Sequence, residues 1–342
     1  MLKQAQTDIK ISATGDRPAI QLNNVTKTFE QWQRGGSMRD MLRNLIKPQK
    51  KIVTALGGIT LTISQGEFVA YAGANGAGKS TTMKLLSGML VPKEGDISVM
   101  GMSPQKDRIA LMQRMGVLFG NRTELWWDHP ISQSFEWKRV VWGIDKHEFR
   151  KTLNMAVELL DIGNFVNTFA RELSLGQRMR ADLALMLLHS PELILLDEPT
   201  LGLDVLAKRN MIDFLKKINR ERGVTVVVTS HDMDDLEEMA ERIILLSKGN
   251  IAFDGSFENL RLHTGAAKRI DIATKDNVPP NITRAKYIES SGHIHKYEIT
   301  NGADISGLLA EISSCKDVID IETGQSPIEE VIANLYKSWD CA

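Results

Sequence analysis

The sequence predicts an α/β fold with a small α+β appendage, and three observations predict it. The run Gly66-Glu67-Phe68-Val69-Ala70-Tyr71-Ala72 reads as a buried strand entering a glycine-rich loop, after which Thr81 to Met89 reads as a helix. Two further β-rich runs, Leu193–Leu196 and Val224–Thr229, each end in polar residues, as strands of a doubly wound sheet do at their ligand edge. After about residue 262 the pattern changes to Pro279-Pro280 and alternating strands such as Lys296-Tyr297-Glu298-Ile299, which marks a separate α+β region.

The elements follow in order. Residues 1–19 read as a flexible tail, and Ile20 to Val25 as an extended segment leading to Lys27-Thr28-Phe29. The insert 34–51 places Met38, Met41, Leu42, Leu45 and Ile46 on one helical stripe, ringed by Arg34, Arg39, Arg43, Lys47, Lys50 and Lys51. This predicts a short basic amphipathic helix, suited to membrane headgroups or a partner's loop; packing on its own domain is the competing reading. Ile59 to Ile63 returns to strand. Residues 105–190 read as mostly helical and hold Trp126, Trp127, Trp137 and Trp142. Ser174 followed three residues later by Gln177 is a capping-box pattern opening an amphipathic helix from Leu175 to Leu188. Ile243 to Phe253, around Ser247-Lys248-Gly249-Asn250, reads as a hairpin.

Composition narrows the function classes. With 42 basic and 43 acidic side chains among 342 residues, total charge argues for no nucleic-acid or other polyanion partner. The two cysteines, Cys315 and Cys341, have no metal-like spacing and read as ordinary free thiols of a reducing compartment. Met1 to Arg17 is polar and lacks the apolar core of a signal peptide. No run approaches the ~18 apolar residues that span a bilayer. The expectation is a soluble chain; in a membrane process, another polypeptide would supply the spanning helices.

The glycine-rich loop, Gly73-Ala74-Asn75-Gly76-Ala77-Gly78-Lys79-Ser80-Thr81, fits G-x-x-x-x-G-K-[ST]. Its glycines let backbone N–H groups converge on phosphate, and the following helix adds its positive end. Lys79 would neutralise phosphate charge and the Ser80 hydroxyl would ligate Mg²⁺. Leu193-Ile194-Leu195-Leu196-Asp197-Glu198-Pro199 ends an apolar strand in two acids that packing does not require. Asp197 is placed to hold Mg²⁺ through water and Glu198 to orient or deprotonate an attacking water.

The order of these two motifs, with Ser174-Leu175-Gly176-Gln177-Arg178 between them and His231 beyond, resembles the ATP-binding-cassette (ABC) ATPases over most of residues 20–260. That resemblance implies a P-loop NTPase cassette: a mixed sheet core, an antiparallel β subdomain and a helical signature subdomain. It implies ATP and Mg²⁺ as ligands, and a head-to-tail dimer, with a second copy or a close paralogue, in which Ser174, Gly176 and Gln177 reach the γ-phosphate held by the other subunit. Leu175 departs from the family's commoner Gly. Gly202-Leu203-Asp204 resembles the loop that crosses the dimer interface. His231 matches the switch histidine, a γ-phosphate donor, against the plainer reading of a structural histidine. Phe29 aligns with the aromatic that stacks on adenine, with core packing as its competitor. Asn121 stands where the family has a Gln that bonds Mg²⁺ and the attacking water, on a stem one carbon shorter.

The resemblance also implies partners. Trp126-Trp127 fall where a membrane permease subunit's coupling helix docks in such transporters, and two neighbours on a helix cannot share one buried face. Trp137 and Trp142 fit burial in the helical subdomain equally well. The insert, the run from Phe119 to Trp127 and the appended C-terminal region point to bacterial drug and polysaccharide exporters. The expectation is therefore an ATPase subunit at the cytoplasmic face of the membrane, with 20–262 as the cassette and 263–342 as an accessory domain. A soluble ABC-type ATPase without a transport partner, and an ATP-binding interaction module with little hydrolysis, are the alternatives.

Overall fold

Two long strands open the structure, which is a computed structural model describing residues 18–32, 50–120, 123–264, 268–299, 305–315 and 317–340. β1 (Pro18–Trp32) pairs antiparallel with β2 (Lys50–Ser64), with several register shifts along their length. Lys50 and Lys51 begin β2 rather than end a helix; the remainder of the amphipathic stripe expected at 34–51 lies outside the described residues. β3 (Phe68–Gly73) runs into α1 (Lys79–Leu86), and β4 (Glu94–Val99) returns to pair with β1. Strands β2, β1 and β4 thus form a three-stranded antiparallel sheet.

A larger sheet forms from the parallel strands. After α2 (Arg108–Met112) comes β5 (Met115–Phe119), a strand inside the span read as mostly helical. Five apolar residues carry no period that separates a buried strand from a buried helical turn, so pairing with a neighbour decides the matter. Then follow α3 (Ile131–Val141), α4 (Lys146–Leu159), α5 (Leu175–Leu187), β6 (Leu193–Asp197), α6 (Val205–Arg222), β7 (Thr225–Thr229), α7 (Met233–Met239), β8 (Arg242–Ser247) and β9 (Asn250–Ser256). The sheet order is β5-β6-β7-β3-β8-β9, parallel from β5 through β8. Strands β6, β7 and β8 read as unbroken apolar runs because helices cover both faces of such a sheet.

Between the two sheets, Leu22, Leu61, Tyr71, Met83, Leu195, Val227 and Leu246 share one buried core with α1. Truncating fully buried Met83 to alanine would cost ~2–5 kcal/mol, because the surrounding side chains only partly collapse. β8 turns into β9 through Lys248-Gly249, whose φ values of 48° and 80° suit a tight hairpin of the primed type.

The chain divides into two compact units, one of residues up to His231 with Glu238–Asp254, the other of Asp232–Glu237 with Gly255 onward. The second unit contains α8 (Phe257–His263), β10 (Lys268–Thr274), β11 (Ala285–Ser291), β12 (Ile294–Ile299), α9 (Ile305–Ser314), β13 (Val318–Gln325) and α10 (Ile328–Asp340). Its antiparallel sheet has the order β11-β12-β10-β13, and Ile270, Ile272, Tyr297, Leu308 and Ile312 form its core. Among the described residues no helix is long and apolar enough to cross a membrane.

Candidate nucleotide site

The glycine-rich loop is fixed by its neighbours before any ligand is considered. Gly78 has φ 113°, and a Cβ there would lie 2.7 Å from the Ala55 carbonyl oxygen, so both dihedral and space demand glycine. As the N-cap of α1, Gly78 offers no side-chain cap, which leaves first-turn N–H groups for an anion. The loop closes on itself where Ala77 N donates to Ala74 O at 3.0 Å. The β8–β9 turn supports it from outside: Gly249 N donates to Ala77 O at 3.2 Å, and Gly57 N donates to Gly249 O at 2.8 Å.

Lys79 is buried, and its Nζ donates to Gly73 O at 2.6 Å and Ala74 O at 3.4 Å. Burial pulls its ammonium below the usual lysine range, while the charges of Glu198 and Asp197 push the other way. Ser80 is exposed at the loop and Thr81 is half-buried. One support escaped sequence reasoning. Tyr71 on β3 donates to Thr82 Oγ1 at 3.1 Å, and Thr82 Oγ1 donates to Gly78 O at 3.1 Å. This buried pair ties the loop's last glycine to the strand before it; burial also raises the Tyr71 phenol. A tyrosine within an otherwise apolar strand was the available signal, since its hydroxyl needs a partner.

Parallel pairing sets Phe119, Asp197 and Thr229 side by side at the same sheet edge. Thr229 Oγ1 donates to Asp197 Oδ1 at 2.7 Å. The next residue, Glu198, has φ 60°, a left-handed conformation costing a non-glycine residue ~1–3 kcal/mol. It is held there by Glu198 N donating to Thr229 O at 3.1 Å. Its carboxylate meets His231 twice: His231 N donates to Oε2 at 3.1 Å, and Nε2 lies 3.2 Å from Oε1. Burial raises the Glu198 carboxyl above the usual range, against the charges of His231 and Lys79. The structure therefore gathers Lys79, Asp197, Glu198 and His231 into one electrostatic cluster. Gly120 N bonds Asp197 O at 2.9 Å and brings the chain to this edge; Asn121 lies outside the described residues.

A second group forms at the start of α5. Ser174 Oγ accepts from Gln177 N at 3.2 Å, and Gln177 Oε1 accepts from Ser174 N at 2.9 Å, the reciprocal cap read from the spacing. Leu175, 44% exposed, lies over Gly202: its Cδ2 is 2.5 Å from where a Cβ on that glycine would sit. Asp204 caps α6 by accepting from Ala207 N at 2.8 Å. Phe29 stands apart on β1 at 36% exposure with the Lys27 ammonium 5.4 Å from its ring centre, so core packing does not describe it.

Trp126 and Trp127 sit in a turn, not on a helix as expected; the chain here leads into Pro130, which precedes α3. Both are solvent-exposed. The Trp126 ring packs 5.3 Å from Trp137, and the Arg178 guanidinium lies 4.7 Å from the Trp127 ring centre. Trp137 is exposed, while Trp142 is half-buried against His189 at 4.5 Å.

A glycine-rich turn into a helix, with its lysine facing two strand-end carboxylates, defines a phosphate-loop nucleoside triphosphatase. Residues 56–201 match the family described as ABC transporter. The chain is 31% identical over 212 residues to the ABC transporter ATP-binding protein NatA of Bacillus subtilis (strain 168), covering 62% of this chain and 86% of that one. It is 29% identical over 275 residues to the methionine import ATP-binding protein MetN of Corynebacterium diphtheriae, 78% of this chain and 79% of that one. A solved ATP-binding cassette, dimeric in a post-hydrolysis state with ADP and phosphate, superposes with a TM-score of 0.58 at 28% identity, covering 69% of this chain and 98% of that one. The chain belongs to the ABC transporter ATP-binding family, with that family's cassette fold and ATPase activity.

Proposed function

We propose that the chain is the ATPase subunit that drives export through separate membrane subunits, working as two head-to-tail copies that clamp two ATP molecules. The observation that carries this is the division of the site: one cluster holds Lys79, Asp197, Glu198 and His231, and a distinct capped helix start holds Ser174, Gly176 and Gln177. A second copy would bring the two together. The solved dimeric cassette with ADP and phosphate supports this pairing.

Each residue then has a role its surroundings suit. The phosphate-loop N–H groups from Gly73 to Thr81 cradle phosphate, and Lys79 offsets its charge. The Ser80 hydroxyl and Asp197 form an oxygen donor set fitting Mg²⁺, with Asn121 as a further contact; the ion supplies charge neutralisation at the phosphates. Glu198, with its raised proton affinity, takes the proton of the attacking water while His231 holds the carboxylate and donates toward the γ-phosphate. Phe29 stacks on adenine.

Trp126 and Trp127 dock the permease subunits, which place the chain at the cytoplasmic face of the membrane, with 34–51 touching headgroups. Residues 20–262 serve as the cassette, and 263–342 regulate or stabilise the pair. Glu198→Gln in MgATP should run as a dimer by light scattering, and a purely monomeric variant refutes the clamp. Direction is tested in sealed vesicles holding the membrane partner: outward movement supports export, and inward movement, the sense of the methionine relative's name, overturns it.

A further inference from the structure

We propose that Asp182 is a positioning residue that ties residues 123–127 to the signature helix α5, so that movement of α5 is handed directly to the tryptophan turn. The proposal rests on reading Trp126-Trp127 as the docking point and names the link that would make docking respond to ATP.

Asp182 lies eight residues beyond Ser174, about two helical turns along α5. It is buried, on a helix whose other buried side chains are all apolar, and an apolar side chain there would avoid the desolvation cost of a carboxyl. Its Oδ1 instead collects two donors from one short stretch of chain: Thr123 Oγ1 at 2.8 Å and Glu124 N at 3.2 Å. Thr123 Oγ1 in turn accepts from Leu125 N at 3.0 Å, which stiffens the next residue. One turn before Asp182, the Arg178 guanidinium lies over Trp127, and Arg178 itself immediately follows Gln177 of the cap. Two side chains of α5 therefore hold residues 123, 124 and 127 from the helix that begins at Ser174. On the other side, α3 holds the same stretch: Lys138 Nζ donates to Glu124 Oε2 at 2.9 Å, and Ser134 Oγ accepts from Trp126 N at 2.9 Å. A segment gripped at nearly every residue follows those helices as a body. Asp182 is the grip that α5 contributes to its backbone.

The alternative is that Asp182 merely stabilises the fold. Hydrogen exchange of the full-length chain, read with and without saturating MgATP, separates the two. Wild type should show MgATP-dependent changes at residues 73–82 and at 123–127. In Asp182→Leu the response at 123–127 should vanish and the Glu124 amide should exchange about tenfold faster, while the response at 73–82 persists. Asp182→Asn, whose amide oxygen accepts both bonds, should restore the coupled response; a merely structural role would instead change exchange at 123–127 alike with and without MgATP. Thr123→Val removes one donor from a half-buried site and serves where Asp182→Leu fails to fold; it should weaken the response at 123–127 about threefold. An unchanged response at 123–127 in Asp182→Leu or in Thr123→Val overturns the role of Asp182. A wild-type chain whose residues 73–82 ignore MgATP would refute the nucleotide site itself, and the coupling with it.

Discussion

At the ligand edge of the six-stranded sheet, polar groups are paired within the sheet or along one strand–loop–helix, as Thr229 with Asp197 and Tyr71 with Thr82. From Thr123 to Trp142 the pairs instead join a helix to the loop beside it, as Asp182 of α5 with Thr123 and Lys138 of α3 with Glu124, and the rings of Trp126, Trp127 and Trp137 stay exposed. The contrast separates two jobs. Bonds inside one sheet keep chemical groups at fixed distances, which catalysis needs. Bonds from two helices to one loop, under exposed rings, let a surface be moved as one piece.

The comparison breaks most readily at Lys79. Lys79→Ala should abolish ATP binding and lower hydrolysis at least ~100-fold, since a buried charged donor facing phosphate has no substitute; near-normal ATPase rates would dismiss the sheet edge as the reaction site. Next is Thr229→Val, which keeps the strand but removes the hydroxyl holding Asp197 and meeting Glu198 N. Hydrolysis should fall ~10-fold with a raised Mg²⁺ requirement, checked by titrating the metal, whereas an unchanged requirement would leave Asp197 positioned by other means. In the other region, the proposed docking role of the exposed Trp126 and Trp127 predicts that their replacement by alanine depresses transport at least ~10-fold more than hydrolysis by the isolated chain. Equal losses in both assays would erase the distinction between the regions.

The smallest expected effect concerns pH. Burial pushes the Asp182 carboxyl up to about 7, opposed by the hydrogen bonds of Thr123 and Glu124 and by the Arg178 charge, and aided by the Glu124 carboxylate. Lys138 faces that carboxylate from α3. Because the folded chain keeps a proton that the unfolded chain gives up near 3.8, this group's contribution to stability declines as pH rises from there to about 7. The Tm of wild type should therefore drop relative to Asp182→Asn between about pH 5 and 7.5, and parallel curves would show that burial does not tax the charge.

Legibility in the sequence followed the distance between partners. The phosphate loop, the acids ending β6 and the Ser174–Gln177 cap are contiguous or three residues apart, so spacing alone specifies them. The Thr123–Asp182 bond spans 59 positions, and only the packing of α5 against the stretch after β5 creates it. Likewise β5 becomes a strand by pairing with β6, its five residues being too few to show a period. Adjacency on a helix argues against burying both Trp126 and Trp127; both are exposed, but in the turn before Pro130 and not on a helix. The sequence pattern changes near 262, while the second unit takes up the chain from Gly255 and includes Asp232–Glu237, a grouping of distant stretches that composition does not record.

One corner of the molecule carries a practical warning. Lys248-Gly249 looks like ideal ground for inserting an epitope or a fluorophore anchor, being a two-residue bend between paired strands. Yet Gly249 lies against β2, where even a methyl group would come within 2.9 Å of the Ala55 carbonyl oxygen, and it is hydrogen-bonded to Ala77 of the phosphate loop. A label grafted at that bend would reach the nucleotide pocket from behind, and a loss of activity in the tagged protein would be an artefact of the graft.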